Sequence, residues 1–330
     1  MFRAAAVMFA SGVAARPSAA QTCGSAAHSN VVTALVSSVD GSSLVSASLD
    51  STIKLWKFSD GSLIKSVTAN GQLIALAASP DGLYYSAATN TSGIQAWSSN
   101  WMMGGVLNGH SFPPQTLLVT PDGKLLVSGS ADLSVRLWRV SDGSSYRTLM
   151  GHAAGIRALA VTRDSELLLT AGDDSNIILW TLPDGRRLTT VNAGAPILSL
   201  AVTADGQALA AGLRDGSIQL YNVPGIILLK TLTGHTGAVR SLSFSANGQL
   251  LMSAGNDGTV RTWALPGLAQ SAMQQVSTGP IEAALLTGSL VCEGGDDNSI
   301  RFLTLPGLSL GRCLSDPDLN ATSNRRGRIL

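Results

Sequence analysis

The sequence predicts an all-β fold assembled from seven copies of one unit, and three observations point to it. All four histidines lie 28 residues before a tryptophan: His28 and Trp56, His110 and Trp138, His152 and Trp180, His235 and Trp263. In each of those units an aspartate stands six residues before the tryptophan (Asp50, Asp132, Asp174, Asp257) and a hydroxyl residue stands ten before it (Ser46, Ser128, Thr170, Ser253). The landmark itself recurs seven times, at spacings of 41, 41, 42, 41, 42 and 40 residues. A rare residue used four times in one register is a repeated structural device, not a scattered active site.

The units run in order along the chain. Their anchoring tetrapeptides are Ile53-Lys54-Leu55-Trp56, Ile94-Gln95-Ala96-Trp97, Val135-Arg136-Leu137-Trp138 and Ile177-Ile178-Leu179-Trp180. Ile218-Gln219-Leu220-Tyr221, Val260-Arg261-Thr262-Trp263 and the degenerate Ile300-Arg301-Phe302-Leu303 complete the set. After the first strand of most units comes a tight-turn pair: Asp40-Gly41, Asp81-Gly82, Asp122-Gly123, Asp205-Gly206 or Asn247-Gly248. Such pairs accept positive φ and join antiparallel strands. Each unit therefore reads as four short strands rich in apolar and small residues. The period makes one closed domain, over residues 26–315, with an N-terminal extension over 1–25 and a polar tail over 316–330.

On these residues the chain resembles the WD-repeat (tryptophan-aspartate) family, whose repeats of ~40–45 residues each form one four-stranded propeller blade. Gly109-His110, Gly151-His152 and Gly234-His235 match the family's glycine-histidine pair; Trp56, Trp97, Trp138, Trp180 and Trp263 match its tryptophan. The resemblance spans residues 28 to 314 and implies a seven-bladed β-propeller of four-stranded antiparallel blades. One departure is that no tryptophan is followed by aspartate; Lys57, Ser98, Arg139, Thr181 and Ala264 stand there. The resemblance also implies that His, Ser or Thr, Asp and Trp form a hydrogen-bonded chain within a blade. The chemistry agrees: imidazole bridges hydroxyl and carboxylate, and the indole N–H donates to the hydroxyl. An unpaired buried member costs more than a bond contributes, so members are expected to be lost together. The units of Trp97, Tyr221 and Leu303 lack the histidine and carry Ala87, Ala211 and Glu293 at the hydroxyl position. Their turn aspartate persists as Asp215 and Asp297 and becomes Thr91 in the second unit.

The His/Ser/Asp sets have the atoms of a nucleophilic triad, but an enzyme needs one nucleophile exposed in a cleft, and four equivalent copies favour the structural reading. Gly172-Asp173-Asp174-Ser175-Asn176 and Glu293-Gly294-Gly295-Asp296-Asp297 resemble oxygen-rich metal loops, yet their register assigns them to blade turns. No catalytic residue, metal or cofactor is expected. With a net charge of +1 and only 13% charged residues, nothing draws the chain to nucleic acid or to an anionic membrane. Cys23, Cys292 and Cys313 have no metal spacing; a Cys292–Cys313 pair is conceivable, but the odd count favours free thiols. The apolar stretch Ala4 to Ala15 is too short to span a bilayer. Ser18-Ala19-Ala20 suits signal-peptidase cleavage, and the Ala/Ser/Arg bias equally suits an organellar transit peptide. The first 25 or so residues are expected to be surplus to the ring, because Pro306 to Leu314 already matches an outer strand. They stand as a cleaved address, an arm or a partner-gripping extension. The cytoplasm is favoured, with an organelle or secretion left open. Asn90-Thr91-Ser92 and Asn320-Ala321-Thr322 are glycosylation sequons that matter only on secretion.

Two surfaces are candidates for partners. The resemblance implies that side chains five residues after the His register point to the channel: Thr33, Ile74, Gln115, Arg157, Leu198, Arg240 and Glu282. So do those before the turn aspartate: Leu49, Asn90, Ala131, Asp173, Arg214, Asn256 and Asp296. Arg157, Arg214 and Arg240, from consecutive blades, suit an acidic or phosphorylated segment. The bland alternative is neutralisation by Asp173, Glu282 and Asp296. On the rim, Trp101, Met102 and Met103, with Phe112 beside them, form a candidate apolar patch. The expected function is a non-catalytic protein-interaction scaffold or assembly subunit, monomeric within a hetero-complex. The alternatives are a substrate-recognition subunit of a ubiquitin ligase, or a ligand-binding or enzymatic propeller acting at the channel mouth.

Overall fold

The computed structural model describes residue 23 and residues 26–38 and 41–319. Seven four-stranded antiparallel sheets stand around a central axis. Blade one has β1 (Val32–Ser37), β2 (Ser43–Ser48), β3 (Thr52–Lys57) and β4 (Leu63–Thr68). Blade two has β5 (Leu73–Ala78), β6 (Tyr84–Thr89), β7 (Ile94–Ser98) and β8 (Met103–Leu107). Blade three has β9 (Pro114–Val119), β10 (Leu125–Ser130), β11 (Ser134–Arg139) and β12 (Ser145–Met150). Blade four has β13 (Ile156–Val161), β14 (Leu167–Gly172), β15 (Asn176–Thr181) and β16 (Arg187–Asn192). Blade five has β17 (Ile197–Val202), β18 (Ala208–Leu213), β19 (Ile218–Asn222) and β20 (Leu228–Leu232). Blade six has β21 (Val239–Phe244), β22 (Leu250–Gly255), β23 (Thr259–Ala264) and β24 (Ala269–Gln275). Blade seven has β25 (Ile281–Thr287), β26 (Leu290–Gly295), β27 (Ile300–Thr304) and β28 (Ser309–Leu314).

The first strand of each blade is innermost, and these seven touch in cyclic order, β25 meeting β1. The second strands are buried almost throughout, β10 along its whole length. Such strands are sandwiched between neighbouring sheets and so read as apolar runs, not as an alternation. The core is divided among the seams between blades. Leu125, Val127, Val135 and Leu137 of blade three meet Ile156, Leu168, Ile178 and Trp180 of blade four. Burying each such side chain contributes roughly 1.5–3 kcal/mol.

The first turn of a blade is more specific than an Asp-Gly pair. In blade three the Thr120 hydroxyl donates to Asp122 at 2.6 Å, and the same carboxylate accepts the Lys124 N–H at 3.1 Å. Ser79 and Asp81, Thr162 and Asp164, and Thr203 and Asp205 repeat the device. Glycine then takes the left-handed position at Gly82, Gly123, Gly206 and Gly248; in blade four Ser165 takes it, at φ 62°. The second strands of blades four and seven end on glycine for a different reason. A Cβ on Gly172 would lie 2.1 Å from the Gly155 carbonyl, and one on Gly295 2.2 Å from that of Pro280.

Closure follows the sequence expectation in one respect. Ser309–Leu314, paired with β27, is the outer strand of the last blade among the described residues; residues 1–22, on which the expected targeting segment falls, lie outside them. The cysteine expectation is corrected. Cys313 is disulfide-bonded to Cys23, 290 residues away, and only Cys292 is a free, buried thiol. Spacing along the chain misled because a ring brings its ends together. Cys292 lies two strands from Cys313, its register partner Phe302 facing Arg312. Around the disulfide, the backbone N–H groups of Ala27 and His28 donate to the Asn298 carbonyl, and Asp316 N–H donates to that of Ala26. Lys54, buried, donates to the Ala27 carbonyl at 2.8 Å and pairs with Asp316 at 2.5 Å. Cys23 and Asp316, expected in the extension and the tail, thus fasten blade seven to blade one.

Candidate functional site

The four expected tetrads all form. His110 Nδ1 lies 2.8 Å from Asp132, and Nε2 lies 2.7 Å from the Ser128 hydroxyl, which also accepts the Trp138 indole N–H at 2.9 Å. His28 reaches Asp50 at 2.9 Å and Ser46 at 2.7 Å, and Trp56 donates to Ser46 at 2.8 Å. His152 reaches Asp174 and Thr170, and His235 reaches Asp257 and Ser253, with Trp180 and Trp263 closing the chains. Only one proton arrangement satisfies every group: Nδ1–H donates to the carboxylate, the hydroxyl donates to Nε2, and the indole donates to the hydroxyl. The carboxylate also accepts the backbone N–H of the residue after the histidine, as Asp132 does from Ser111 at 3.0 Å. One side chain thereby ties the entry loop to the second turn.

Burial pushes the His28 and His110 pKa values below the ordinary imidazole value, although Asp50 and Asp132 pull the other way. Burial alone would raise Asp50, Asp132, Asp174 and Asp257; hydrogen bonds from histidine and backbone donors, joined by a hydroxyl at Asp50, Asp132 and Asp257, outweigh it and hold all four below the usual carboxylate range. No histidine is more than 7% exposed, and Ser46, Ser128, Thr170 and Ser253 are wholly buried. No substrate can approach such a hydroxyl.

The blades without histidine are not left empty, and this the sequence reading missed. In each of them the polar side chain two residues before the landmark makes the bonds. Gln95 accepts the Asn70 N–H at 3.0 Å and donates to the Asn70 carbonyl at 2.8 Å. Gln219 donates to the Ala193 carbonyl at 3.0 Å and accepts from the Tyr221 hydroxyl. In blade seven Arg301 donates to buried Glu293 at 2.9 Å and bonds Asp297. Burial, reinforced by Asp297 and opposed by Arg301, raises the Glu293 pKa to about 7. The signal was present in Ile94-Gln95-Ala96-Trp97 and Ile218-Gln219-Leu220-Tyr221, as a glutamine whose partner is a backbone group.

At the axis, Thr33, Ile74, Gln115, Arg157, Leu198, Arg240 and Glu282 line one open cavity of about 390 Å³. Arg157 pairs with Asp173 at 2.8 Å and donates to Gln115 at 3.0 Å. Arg214 pairs with the other oxygen of Asp173 at 2.6 Å. Arg240 bonds Asn256 at 2.9 Å and approaches Glu282 at 3.7 Å. Burial raises the Glu282 pKa, Asp296 adds to this and Arg240 opposes it. Two arginines therefore share one carboxylate, and the third stands apart with its own.

The rim candidates separate. Trp101 lies flat on Tyr85, ring centroids 4.6 Å apart, and belongs partly to the core. Met102 and Met103 are 66% and 51% exposed. Phe112 is also exposed but lies away from them, its carbonyl accepting from Ser130 where β10 ends. The methionines follow the turn beside Ser98, at the opposite end of the blade. Among the described residues no group of three His, Cys, Asp or Glu is placed to hold a metal ion, and no helix is long and apolar enough to cross a membrane.

Comparison with known proteins agrees with this architecture. The family model described as "WD domain, G-beta repeat" matches residues 21–57, 102–139, 143–181, 185–222 and 227–264. What it leaves unmatched contains most of blade two and all of blade seven. Residues of this chain are 39% identical over 117 positions to Periodic tryptophan protein 2 of Arabidopsis thaliana, covering 34% of this chain and 13% of the relative. Autophagy-related protein 16 of Arabidopsis thaliana is 26% identical over 218 residues, covering 65% and 35%. Small ribosomal subunit protein RACK1y of Oryza sativa subsp. japonica is 30% identical over 127 residues, covering 36% and 38%. The matches thus span well under half of each relative's length. With five repeats matched over more than half of the chain, and four of its seven blades built on the same bonded tetrad, the chain belongs to the WD-repeat family.

Proposed function

We propose that the chain is a non-catalytic interaction scaffold or assembly subunit. The observation carrying this reading is that every histidine is consumed in a buried chain that rigidifies its blade. Reactive groups are spent on shape, and what remains exposed is loops and edges in fixed positions. A ring of this kind presents several surfaces at little ordering cost, which favours binding. Its relatives, each matched over well under half of its length, are different proteins, which is compatible with a shared frame carrying different interfaces.

At the channel mouth we favour an acidic or phosphorylated segment as partner. Arg157 and Arg214 share Asp173, so one positive charge is unbalanced there, and an incoming phosphate or carboxylate has a guanidinium pair already spaced by that carboxylate. The competing acid also makes such binding weak and salt-sensitive. The test is affinity purification from native cells of wild type and of the chain carrying Arg157→Glu, Arg214→Glu and Arg240→Glu together. A defined set of proteins lost only from the variant supports the channel face. A set retained by both moves the interface to the rim, and no specific protein with either removes the scaffold reading.

A further inference from the structure

Among the described residues every blade ends in an outer strand bonded on one side only, so each has a row of backbone donors and acceptors facing the rim. Such edges invite another strand, and proteins ordinarily guard them with charged or polar side chains. Six of the seven outer strands follow that rule. β4 carries Lys65, β12 Arg147, β16 Arg187, β20 Lys230 and β28 Arg312, while β24 has no charge but four polar side chains among seven residues. β8 is the exception: Met103-Gly104-Gly105-Val106-Leu107 contains no polar side chain at all.

The surroundings of β8 are equally distinctive. Met103 is 51% and Val106 42% exposed, and Met102, just before the strand, is 66% exposed. A trough of about 510 Å³ runs beside the strand, lined by Tyr84, Val106 and Leu107 and, from blade three, by the Val140–Gly143 turn with Asp142 and by Arg139, whose guanidinium is taken up by Ser144 and the Tyr146 ring. That volume lies within the range of clefts that hold ligands. Gly104 and Gly105 leave the backbone of β8 uncovered by side chains, so an approaching chain meets main-chain groups directly.

We propose that β8 accepts an extended, uncharged segment of a partner protein as a fifth strand of blade two. Main-chain hydrogen bonds to the free edge supply the pairing, and alternate apolar side chains of the guest fill the trough. A second copy of this chain fits less well, because two of the five residues of β8 are glycines and bring no side chain to the trough. The proposal rests on the scaffold reading and names the partner chemistry of one of its surfaces.

A random twelve-residue peptide library displayed on phage, selected against the full chain, tests it. Enriched peptides are expected to alternate apolar residues and to lack charge in the central segment. A synthetic peptide of the enriched sequence is then measured by fluorescence anisotropy. Met103→Lys and Val106→Lys, both at exposed positions, are expected to weaken its binding at least tenfold with unchanged melting temperature. N-methylating every second amide of the peptide separates strand pairing from greasy contact. One register of methylation should abolish binding and the other leave it intact, because alternate amides of a strand face opposite sides. Equal effects of both registers, no enriched alternating peptide, or indifference to Met103→Lys would each overturn the proposal. So would a dimer of the purified chain that Val106→Lys dissociates, which would make β8 a self-interface. If native partners are still captured while edge peptides fail, this inference falls and the scaffold reading stands. If edge peptides bind and no protein copurifies from cells, the scaffold reading falls instead.

Discussion

Blades three and two are neighbours with the same strand order and the same landmark tryptophan, yet they solve one problem in two ways. Blade three spends His110, Ser128 and Asp132 on a chain that runs from the entry loop through the sheet to Trp138. Blade two spends a single amide, Gln95, on the loop backbone at Asn70. In the first, a buried imidazole depends on two partners; in the second, the loop it holds is already in contact with water, Asn70 being exposed. The tetrad couples three segments and fails as a unit. The amide couples two and is locally replaceable. The blade with the weaker device is also the one whose outer strand is unguarded.

The largest expected effect breaks the tetrad. Asp132→Ala removes the acceptor of His110 Nδ1–H and of the Ser111 N–H, and leaves the imidazole buried and half-satisfied. Unpaired buried groups cost about 1–3 kcal/mol each, so a loss of about 3 kcal/mol is expected, read as a lower urea midpoint at unchanged slope. Binding to any partner of the folded ring should persist. A variant as stable as wild type would show that the tetrad is ornamental in this chain.

A second effect sets blade seven against the tetrad blades through pH. The pKa of Glu293 is raised to about 7 from an ordinary value of 4.5, so the native state holds a proton that the unfolded chain releases earlier. Its contribution is full below about pH 4.5 and is lost as pH rises through about 7; at ~1.4 kcal/mol per unit, that is up to about 3 kcal/mol. The tetrad aspartates have lowered values, as have His28 and His110, so their contributions are present at neutral pH and lost as pH falls. Glu293→Gln should therefore flatten the alkaline side of a stability–pH profile between pH 5 and 8 and leave the acid side unchanged. An unaltered alkaline limb would mean that Arg301 keeps Glu293 ionised throughout.

Much of this frame was legible in the sequence because its periodic devices are side-chain chemistry at fixed spacing. His28 and Trp56, or Asp122 and Gly123, announce themselves as types in register. The seven channel-lining positions followed from the same register, down to the displaced Glu282. Three things did not. Gln95 and Gln219 stood in the sequence as residues, but their backbone partners at Asn70 and Ala193 left no trace there. The Cys23–Cys313 bond joins positions that only the closed ring makes neighbours. Trp101 and Phe112 read as one patch with Met102 and Met103 because sequence proximity does not reveal that a blade separates its two ends. Likewise, the convergence of Arg157, Arg214 and Arg240 was visible as register, but the sharing of Asp173 required side-chain geometry.

The smallest effect sharpens the comparison between blades. Gln95→Ala deletes two hydrogen bonds, one accepted from Asn70 N–H and one donated to its carbonyl. Both Asn70 groups belong to an exposed residue, so water can take up what the amide releases, and the net cost is the modest value of ordinary hydrogen bonds. A loss of about 1 kcal/mol is expected, less than half that of Asp132→Ala, again from urea midpoints. Combining the two substitutions tests whether the devices are independent. The blades share the seam in which Ala88, Ile94 and Leu117 meet Trp138, so a rigid seam would couple them and a merely packed one would not. Additive losses place each device inside its own blade. A combined loss well above the sum would mean that the amide of blade two supports the tetrad of blade three through that seam, and that the distinction between the two kinds of blade is one of chemistry alone.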